Sequence, residues 1–409
     1  MPFIARTSRT IGTILIVATN SSVAYADTSL TAKNAFNPST SVILGGHFAP
    51  FNNDPSNYKI PGFPLRAEIA PAPGGWSLDE SELVLNANVD DYFYGNITGS
   101  LAPEGGLEVE EGYIETTSLG SGVTVRGGRF FSGIGYLNDR HAHTWDFTDK
   151  ALPYRLLLGN QVRDDGVQVR WVLPTDRFTE LGVEALRGES YPAGGSARNG
   201  RGAYAAYLHI GDDFGTSHSW RVGVSQYWGR ATDRTFSAEN VATAADLVSE
   251  SFSGTSRVTL VDLIWKWSPN GNPYVRNLAF AFEYLHREDD GQLSTAYTGG
   301  GEKGTSFIGK QNGWYLQTAY QMTDGWRASV RYAQARSDNS RGDAAVIADA
   351  GLDGAGHVPR VWSAMVDYNR SEFSRIRLQA NLDRSTTETD KQLVLQYVVS
   401  IGAHGGHKF

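Results

Sequence analysis

Apolar and polar residues alternate strictly over much of the chain. From Arg375 to Asp383 every even position is apolar and every odd position is polar or charged. The same alternation recurs in Gln392–Ser400, Trp326–Tyr332 and Leu278–Tyr284. A period of two places one set of side chains on each face of a β-strand. The pattern predicts an all-β protein, either a transmembrane barrel or a large soluble sandwich or propeller.

The connections between these segments favour the barrel. Short turns alternate with long Gly-, Ser- and Asp-rich segments, as periplasmic turns and outer loops do in transmembrane barrels. The long segments are predicted at about 52–76, 136–165, 188–201, 231–255, 287–310 and 337–357. We predict a transmembrane antiparallel β-barrel of about sixteen strands, at 41–51, 78–89, 92–101, 106–117, 123–134, 166–173, 178–187, 202–211, 219–230, 256–268, 276–287, 311–322, 326–336, 358–368, 374–384 and 391–409.

Large aromatic residues near the predicted strand ends agree with a membrane environment. Trp and Tyr prefer the membrane interface, where one edge of the ring is apolar and the other is wet. The residues in question are Trp76, Trp171, Trp220, Trp228, Trp265, Trp267, Trp314, Trp326, Trp362 and Tyr368. The terminal Phe409 is also typical of the last strand of an outer-membrane barrel, so outer-membrane lipid is the expected partner of the outer face.

The polar faces of the strands carry charges of both signs. A barrel of sixteen strands is too wide to be filled by its own side chains, so these faces are expected to border an aqueous lumen. The predicted pore-lining residues are Arg126, Arg170, Arg221, Arg327, Arg331, Arg375, Arg377, Glu184 and Glu283. Gln379 is expected to face this water as well, and Leu378 to face lipid.

The first 26 residues read as a cleaved signal peptide. Arg6 and Arg9 precede an apolar stretch, and Ala24–Ala26 form a cleavage site before Asp27. We therefore predict a signal peptide at 1–26, a short periplasmic segment at 27–40 and an outer-membrane barrel at 41–409. The net charge of −8 becomes −10 without the two arginines, which argues against a nucleic-acid partner. With no Cys, the chain has neither disulfides nor a thiol nucleophile.

Four segments in the middle of the chain resemble a known family. These are Gly128–Asn138, His141–Phe147, Asp164–Trp171 and Leu173–Asp176. They are similar to a Gram-negative porin-like β-barrel family whose members are often labelled zinc-regulated TonB-dependent outer membrane receptors, with a more distant similarity to phosphate-selective porins. The resemblance runs from about residue 41 to the C-terminus. It implies localisation in the outer membrane and expression that responds to zinc.

Two imidazoles and two carboxylates fall within nine positions of one long predicted loop. His141, His143, Asp146 and Asp149 are suitable ligands for zinc or a similar cation. The alternative is that the histidines pack this loop against the barrel wall and pair with nearby carboxylates. No cofactor is otherwise expected.

These observations predict a channel for passive diffusion of small hydrophilic solutes or ions, without enzymatic activity. The alternative is an outer-membrane receptor or uptake barrel for zinc or a metal complex. TonB-dependent receptors have about 22 strands and a plugged lumen, whereas only residues 27–40 separate the signal peptide from the first predicted strand. The passive channel is therefore the leading hypothesis. By comparison with porins, we also expect a homotrimer.

Overall fold

The chain folds into antiparallel β-strands that close on themselves. The computed structural model describes residues 38–50, 58–64, 74–79, 81–101, 105–194, 202–235, 247–298 and 301–402. Its segments are β1 (Ser39–Ala49), β2 (Gly75–Leu78), β3 (Ser81–Asn88), β4 (Phe93–Leu101), β5 (Leu107–Thr116), β6 (Val123–Phe131), β7 (Arg163–Val172), β8 (Phe178–Leu186), β9 (Ala203–Phe214), β10 (His218–Thr235), β11 (Leu247–Trp267), β12 (Asn277–Tyr297), β13 (Glu302–Thr323), β14 (Trp326–Arg341), β15 (Arg360–Ser371), β16 (Ser374–Arg384) and β17 (Asp390–Gly402).

The barrel has sixteen strand positions, because β2 and β3 share one of them. Each segment from β3 to β17 pairs with the next along the chain, and β1 closes the sheet by pairing with β17. On its other side β1 pairs with β2 through Gly46–Ala49 and with β3 through Ser39–Ile43. The predicted sixteen-stranded transmembrane barrel is confirmed. Its closure leaves no sheet edge, as hydrocarbon surroundings require.

The two faces of each strand differ as the alternation predicts. In β16, Ile376 and Leu378 are exposed on the outside, whereas Arg377 and Gln379 are buried on the inside. Aromatic rings form a row on the outer face, where Trp314, Tyr332 and Trp362 lie with successive ring centroids 5.3 and 4.5 Å apart. An apolar outer band with aromatic residues places this barrel in the bacterial outer membrane. Among the described residues, no helix is long and apolar enough to cross a membrane.

Short turns lie at one end of the barrel and longer connections at the other. The turns at Asp324–Gly325 and Glu372–Phe373 are two residues long. At the opposite end, β10 to β13 extend for 18 to 22 residues, well beyond their neighbours. The prediction of long outer loops at 231–255, 287–310 and 337–357 is therefore wrong in part, since 231–235, 247–255, 287–297, 302–310 and 337–341 are strand. A short helix, Ala344–Asp349, packs against this extension through Val346 and Ile347.

Several sequence predictions concern segments outside the described residues. They include the signal peptide at 1–26, nearly all of the N-terminal segment at 27–40 and the last residues of the chain, with Phe409. The barrel itself begins two residues earlier than predicted, at Ser39.

The orientation of β16 can be tested by placing a charge on its outer face. Because Leu378 lies near the middle of the strand and points outward, Leu378→Arg should lower the free energy of unfolding by about 2–4 kcal/mol. The matched control is Ile401→Arg, on the outer face near the short-turn end, where the cost falls to about 0–1 kcal/mol. Reversible urea unfolding in lipid vesicles measures both values. Equal costs would contradict the assigned depth of Leu378.

Candidate functional site: the inner loop and the lumen

A 31-residue segment between β6 and β7 folds into the barrel instead of outward. We call residues 132–162 the inner loop. It contains a 3₁₀ turn at Ala142–Thr144 and helix α1 (Leu152–Leu158), which ends at Gly159 in the left-handed conformation (φ +61°). Gly135 is also left-handed (φ +68°), and a Cβ there would lie 2.5 Å from the Tyr154 hydroxyl oxygen. Glycine at 135 therefore lets the loop cross itself closely.

The hydrophobic core of the protein lies inside the barrel, between the inner loop and the wall. All seven residues of α1 are buried. They pack with Ile134 and Leu137 of the loop against wall residues such as Tyr227, Leu260 and Tyr315. Residues 58–64, from the connection after β1, add Tyr58, Ile60 and Phe63 to the same cluster. Burial of this apolar surface holds the loop in the lumen.

Two predicted pore-lining acids are buried beneath the inner loop. Glu283 is fully buried and accepts hydrogen bonds from the Tyr136 amide (2.7 Å) and the Tyr154 hydroxyl (2.8 Å). Glu184, 4% exposed, accepts from the Ser132 hydroxyl and from the Gly133 amide (2.8 Å). Both carboxylates lie on the inner face, as predicted. They anchor the loop instead of bordering water.

The aspartates of the inner loop pair with arginines of β14 and β16. Asp146 lies 2.6 Å from Arg327, and Asp149 lies 2.8 Å from Arg331. Burial alone would raise the pKa of Asp149, but the Arg331 guanidinium outweighs it and holds that pKa below its usual value. A carboxylate already bound to a guanidinium is poorly placed to bind a cation. The structure does not join these aspartates with the histidines into the predicted metal-ligand set.

Two more predicted arginines bind the loop backbone. Arg375 donates to the His143 carbonyl (2.9 Å) and Arg377 to the Trp145 carbonyl (3.0 Å). Arg377 also forms a bidentate salt bridge with Asp367, with N–O distances of 2.7 and 2.9 Å. With side chains 3% and 1% exposed, Arg331 and Arg377 are anchors of the loop.

The histidines of the loop meet glutamates of β3 and β5. His141 Nδ1 lies 3.2 Å from Glu110 and its Nε2 lies 3.0 Å from Glu111, while His143 Nδ1 lies 2.8 Å from Glu82. Burial disfavours the charged imidazole, but the surrounding carboxylates outweigh it and hold the pKa of His141 well above its usual value. This arrangement agrees with the predicted alternative in which the histidines hold the loop to the wall.

Glu110 and Glu111 were absent from the predicted site because strict alternation would send one of them outward. Thr98 of β4 faces Glu111 and the next residue, Gly99, faces Val109. Glu110 is thus the extra residue of a β-bulge, and both glutamates turn inward. The sequence does contain a signal of this bulge, because two consecutive glutamates interrupt the alternation of the strand.

Four predicted pore-lining arginines remain partly open to the lumen. The side chains of Arg126, Arg170, Arg221 and Arg327 are 17–29% exposed. Arg126 and Arg170 share one carboxylate, Glu115, at 2.7 and 2.8 Å. These residues lie on the inner face, as predicted, and their part in conduction stays a prediction.

A cavity of about 630 Å³ lies between the inner loop and the short-turn end of the barrel. Its lining combines loop residues, turn residues and wall residues. Five basic and five acidic residues line it: Arg140, Lys266, Arg327, Arg370 and Arg375, with Asp146, Asp213, Asp324, Asp367 and Glu372. Among the described residues, neither Lys266 nor Arg375 forms an ion pair. This part of the lumen is therefore polar and carries charges of both signs.

The expectation that Gln379 faces the water of the lumen is wrong. Its side chain does not face water, since it is fully buried, accepts from the Thr148 amide (2.8 Å) and donates to Asp149 (2.8 Å). An arginine at this position would displace these bonds, so Gln379→Arg is not the neutral change that a water-filled lumen implies.

Comparison with known proteins places the chain in a family and identifies its fold. No family model matches the sequence. An uncharacterized protein of Aquifex aeolicus is 32% identical over 354 residues, which span 82% of this chain and 70% of that protein. The chain belongs to the same family as that protein.

Solved structures of outer-membrane porins share the architecture. OprB of Pseudomonas putida superposes with a TM-score of 0.55 at 12% identity, covering 89% of this chain and 94% of OprB. An anion-selective porin of Comamonas acidovorans gives 0.51 at 12% identity, covering 88% and 98%. OmpT of Vibrio cholerae in its trimer form gives 0.52 at 10% identity, covering 88% and 98%. The fold is that of outer-membrane porins, as the sequence resemblance implied, whereas the zinc-regulated label stays a prediction.

The anchoring of the inner loop can be tested at Asp149. Asp149→Ala leaves the buried Arg331 guanidinium without its carboxylate, which should lower the free energy of unfolding by about 3 kcal/mol. The control is Lys310→Ala, which removes an exposed pair with Glu288 at 3.9 Å and should cost less than about 1 kcal/mol. Because the pKa of Asp149 is lowered, the stabilisation is present at neutral pH and is lost as the pH falls through that lowered pKa. Urea unfolding at pH 7 measures both variants, and equal losses would contradict the anchoring role.

Proposed function

We propose that the protein is a passive channel of the outer membrane for small hydrophilic solutes and ions, with a weak preference for anions and no enzymatic activity. The observation that carries this proposal is the partly exposed arginine set on the inner face of the barrel. With the inner loop packed inside the barrel, the side chains of Arg126, Arg170, Arg221 and Arg327 are still 17–29% exposed. A polar lumen of this kind passes solutes according to size and charge.

The anion preference rests on the balance of charge along this lumen. Arg126 and Arg170 share a single carboxylate, so their group retains one positive charge. In the cavity near the short turns, Lys266 and Arg375 form no ion pair among the described residues, although Asp213, Asp324 and Glu372 of the same lining offset part of their charge. Guanidinium groups remain charged at every physiological pH and present a planar fork to oxyanions. A solute that carries a carboxylate or phosphate group is therefore favoured over a cation of the same size.

Ion selectivity in a planar bilayer tests this proposal. Across a KCl gradient, the full-length protein should give steady ohmic currents whose reversal potential indicates preference for chloride. Removing two positive charges with Lys266→Gln and Arg375→Gln should shift the reversal potential toward that of a cation-preferring channel. The control Lys310→Gln changes a lysine on the outer face and should shift nothing. Cation selectivity of the unaltered protein would overturn the anion preference, and absence of conductance would overturn the channel.

The receptor alternative is distinguished by its need for energy. A passive channel should admit small uncharged sugars into liposomes that contain only this protein, and the liposomes should swell at a rate that falls with solute size. An uptake barrel that depends on an inner-membrane energy complex would give no swelling. The same reconstituted sample, analysed by native gel mobility, tests the predicted homotrimer.

A further inference from the structure

Three carboxylates and two imidazoles meet where the inner loop touches β3 and β5. His141 Nδ1 lies 3.2 Å from Glu110 Oε2 and 3.3 Å from Glu82 Oε2. One ligand atom of each of these three residues lies within 4.8 Å of the other two. Ligands of a four-coordinate zinc ion, at bonds of about 2.0–2.1 Å, are separated by about 3.3–3.4 Å. The spacing around His141 Nδ1 is close to this value.

One buried oxygen of the cluster accepts no hydrogen bond. Glu82 is 1% exposed, and its Oε2 accepts no hydrogen bond although it points toward His141. The other oxygen, Oε1, is held by His143 Nδ1 at 2.8 Å. His141 Nδ1 carries at most one hydrogen and lies beside both this oxygen and Glu110 Oε2, so it cannot donate fully to both. A buried carboxylate oxygen that accepts no hydrogen bond is costly, because it has lost its hydration. A cation between Glu82, Glu110 and His141 would satisfy it.

The negative charge of the three buried glutamates also favours the binding of a cation. Glu82, Glu110 and Glu111 are all buried, at 1%, 2% and 7% exposure. Among the described residues, no Lys or Arg forms an ion pair with any of the three. One imidazolium at His141 would offset only part of the three negative charges. A divalent ion offsets two of them and leaves the imidazole neutral as a ligand.

The residues around this group have the arrangement that supports a metal ligand. Metal-binding imidazoles commonly donate their second ring N–H to a carboxylate, which fixes the ring and makes it a stronger ligand. Glu111 is placed for this role, 3.0 Å from His141 Nε2. The β-bulge at Glu110 is what allows both neighbouring glutamates to reach His141, one on each ring nitrogen.

We propose that Glu82, Glu110 and His141 bind a divalent transition-metal ion of the zinc class, which fastens the inner loop to β3 and β5. Glu111 and His143 position the ligands. A nitrogen ligand together with carboxylates suits zinc and its neighbours better than calcium or magnesium, which prefer oxygen alone. His143 also lines the cavity at the short-turn end. Water completes the coordination.

Metal titration of the full-length protein tests the site. The protein is refolded in detergent, stripped with a chelator and titrated with Co²⁺, whose visible absorption reports nitrogen and oxygen coordination; Zn²⁺ then competes for the same site. We expect one ion per chain and a higher melting temperature with Zn²⁺. Glu110→Gln should weaken binding at least tenfold, and Glu111→Gln, which changes only a positioning residue, by about 10–100-fold.

The matched control is His209→Ala. This imidazole also lies on the inner face, 3.3 Å from a single glutamate, Glu180, and its loss should leave Co²⁺ binding unchanged. Retained heat-modifiable gel mobility shows that each variant forms the barrel. Absence of binding to the unaltered protein, or equal binding by the folded Glu110→Gln variant, would overturn the proposal. Neither result bears on passive conduction, which is measured separately in the bilayer.

Discussion

Charge pairing between the inner loop and the barrel wall determines the interior of this protein. Along the loop, His141 and His143 precede Asp146 and Asp149. The histidines meet Glu82, Glu110 and Glu111, whereas Asp146 and Asp149 meet Arg327 and Arg331. A loop shifted along the wall would place like charges together in a region of low dielectric, where repulsion is strong. The complementary pattern therefore specifies one position of the loop, and the buried helix α1 adds apolar contacts that hold it there.

This arrangement depends on two places where the backbone departs from regular geometry, one in the sheet and one in the inner loop. A strand with perfect alternation offers one inward residue in two, which is too sparse to surround an imidazole on both nitrogens. The bulge at Glu110 doubles that density locally. Glycine at 135 has a similar effect on the loop, because it allows Tyr154 and Glu283 to approach the backbone closely. Both departures lie where the loop meets the wall.

The strands were predictable where lipid imposes the pattern and less so elsewhere. β16 was predicted with both bounds correct, since one of its faces must be apolar and the other polar. The extensions of β11 to β13 were predicted as loops, because beyond the membrane neither face of a strand needs to be apolar. Segments such as Glu288–Gly291 therefore read as turns. The inward direction of the predicted pore residues followed from their alternate positions along each strand, because every second residue points to the same face. Their partners did not, because Glu283 and Arg331 are joined to the loop across more than 100 residues of sequence.

The number of contacts that hold the inner loop bears on how the proposed channel would work. The inner loop is fixed near its start by Glu184, in its middle by Glu283 and the β3–β5 glutamates, and near α1 by Arg331. Each hydrogen bond to a charged group contributes about 1.5–3 kcal/mol. Releasing the whole loop breaks several of them at once, and a state that lies more than about 5.5 kcal/mol above another holds well below 1% of the population. In the proposed channel, an opening bordered by the inner loop would therefore be static on the time scale of solute passage. Its selectivity would then rest with the charged side chains that the loop leaves exposed, chiefly Arg126, Arg170, Arg221 and Arg327, and not with movement of the loop.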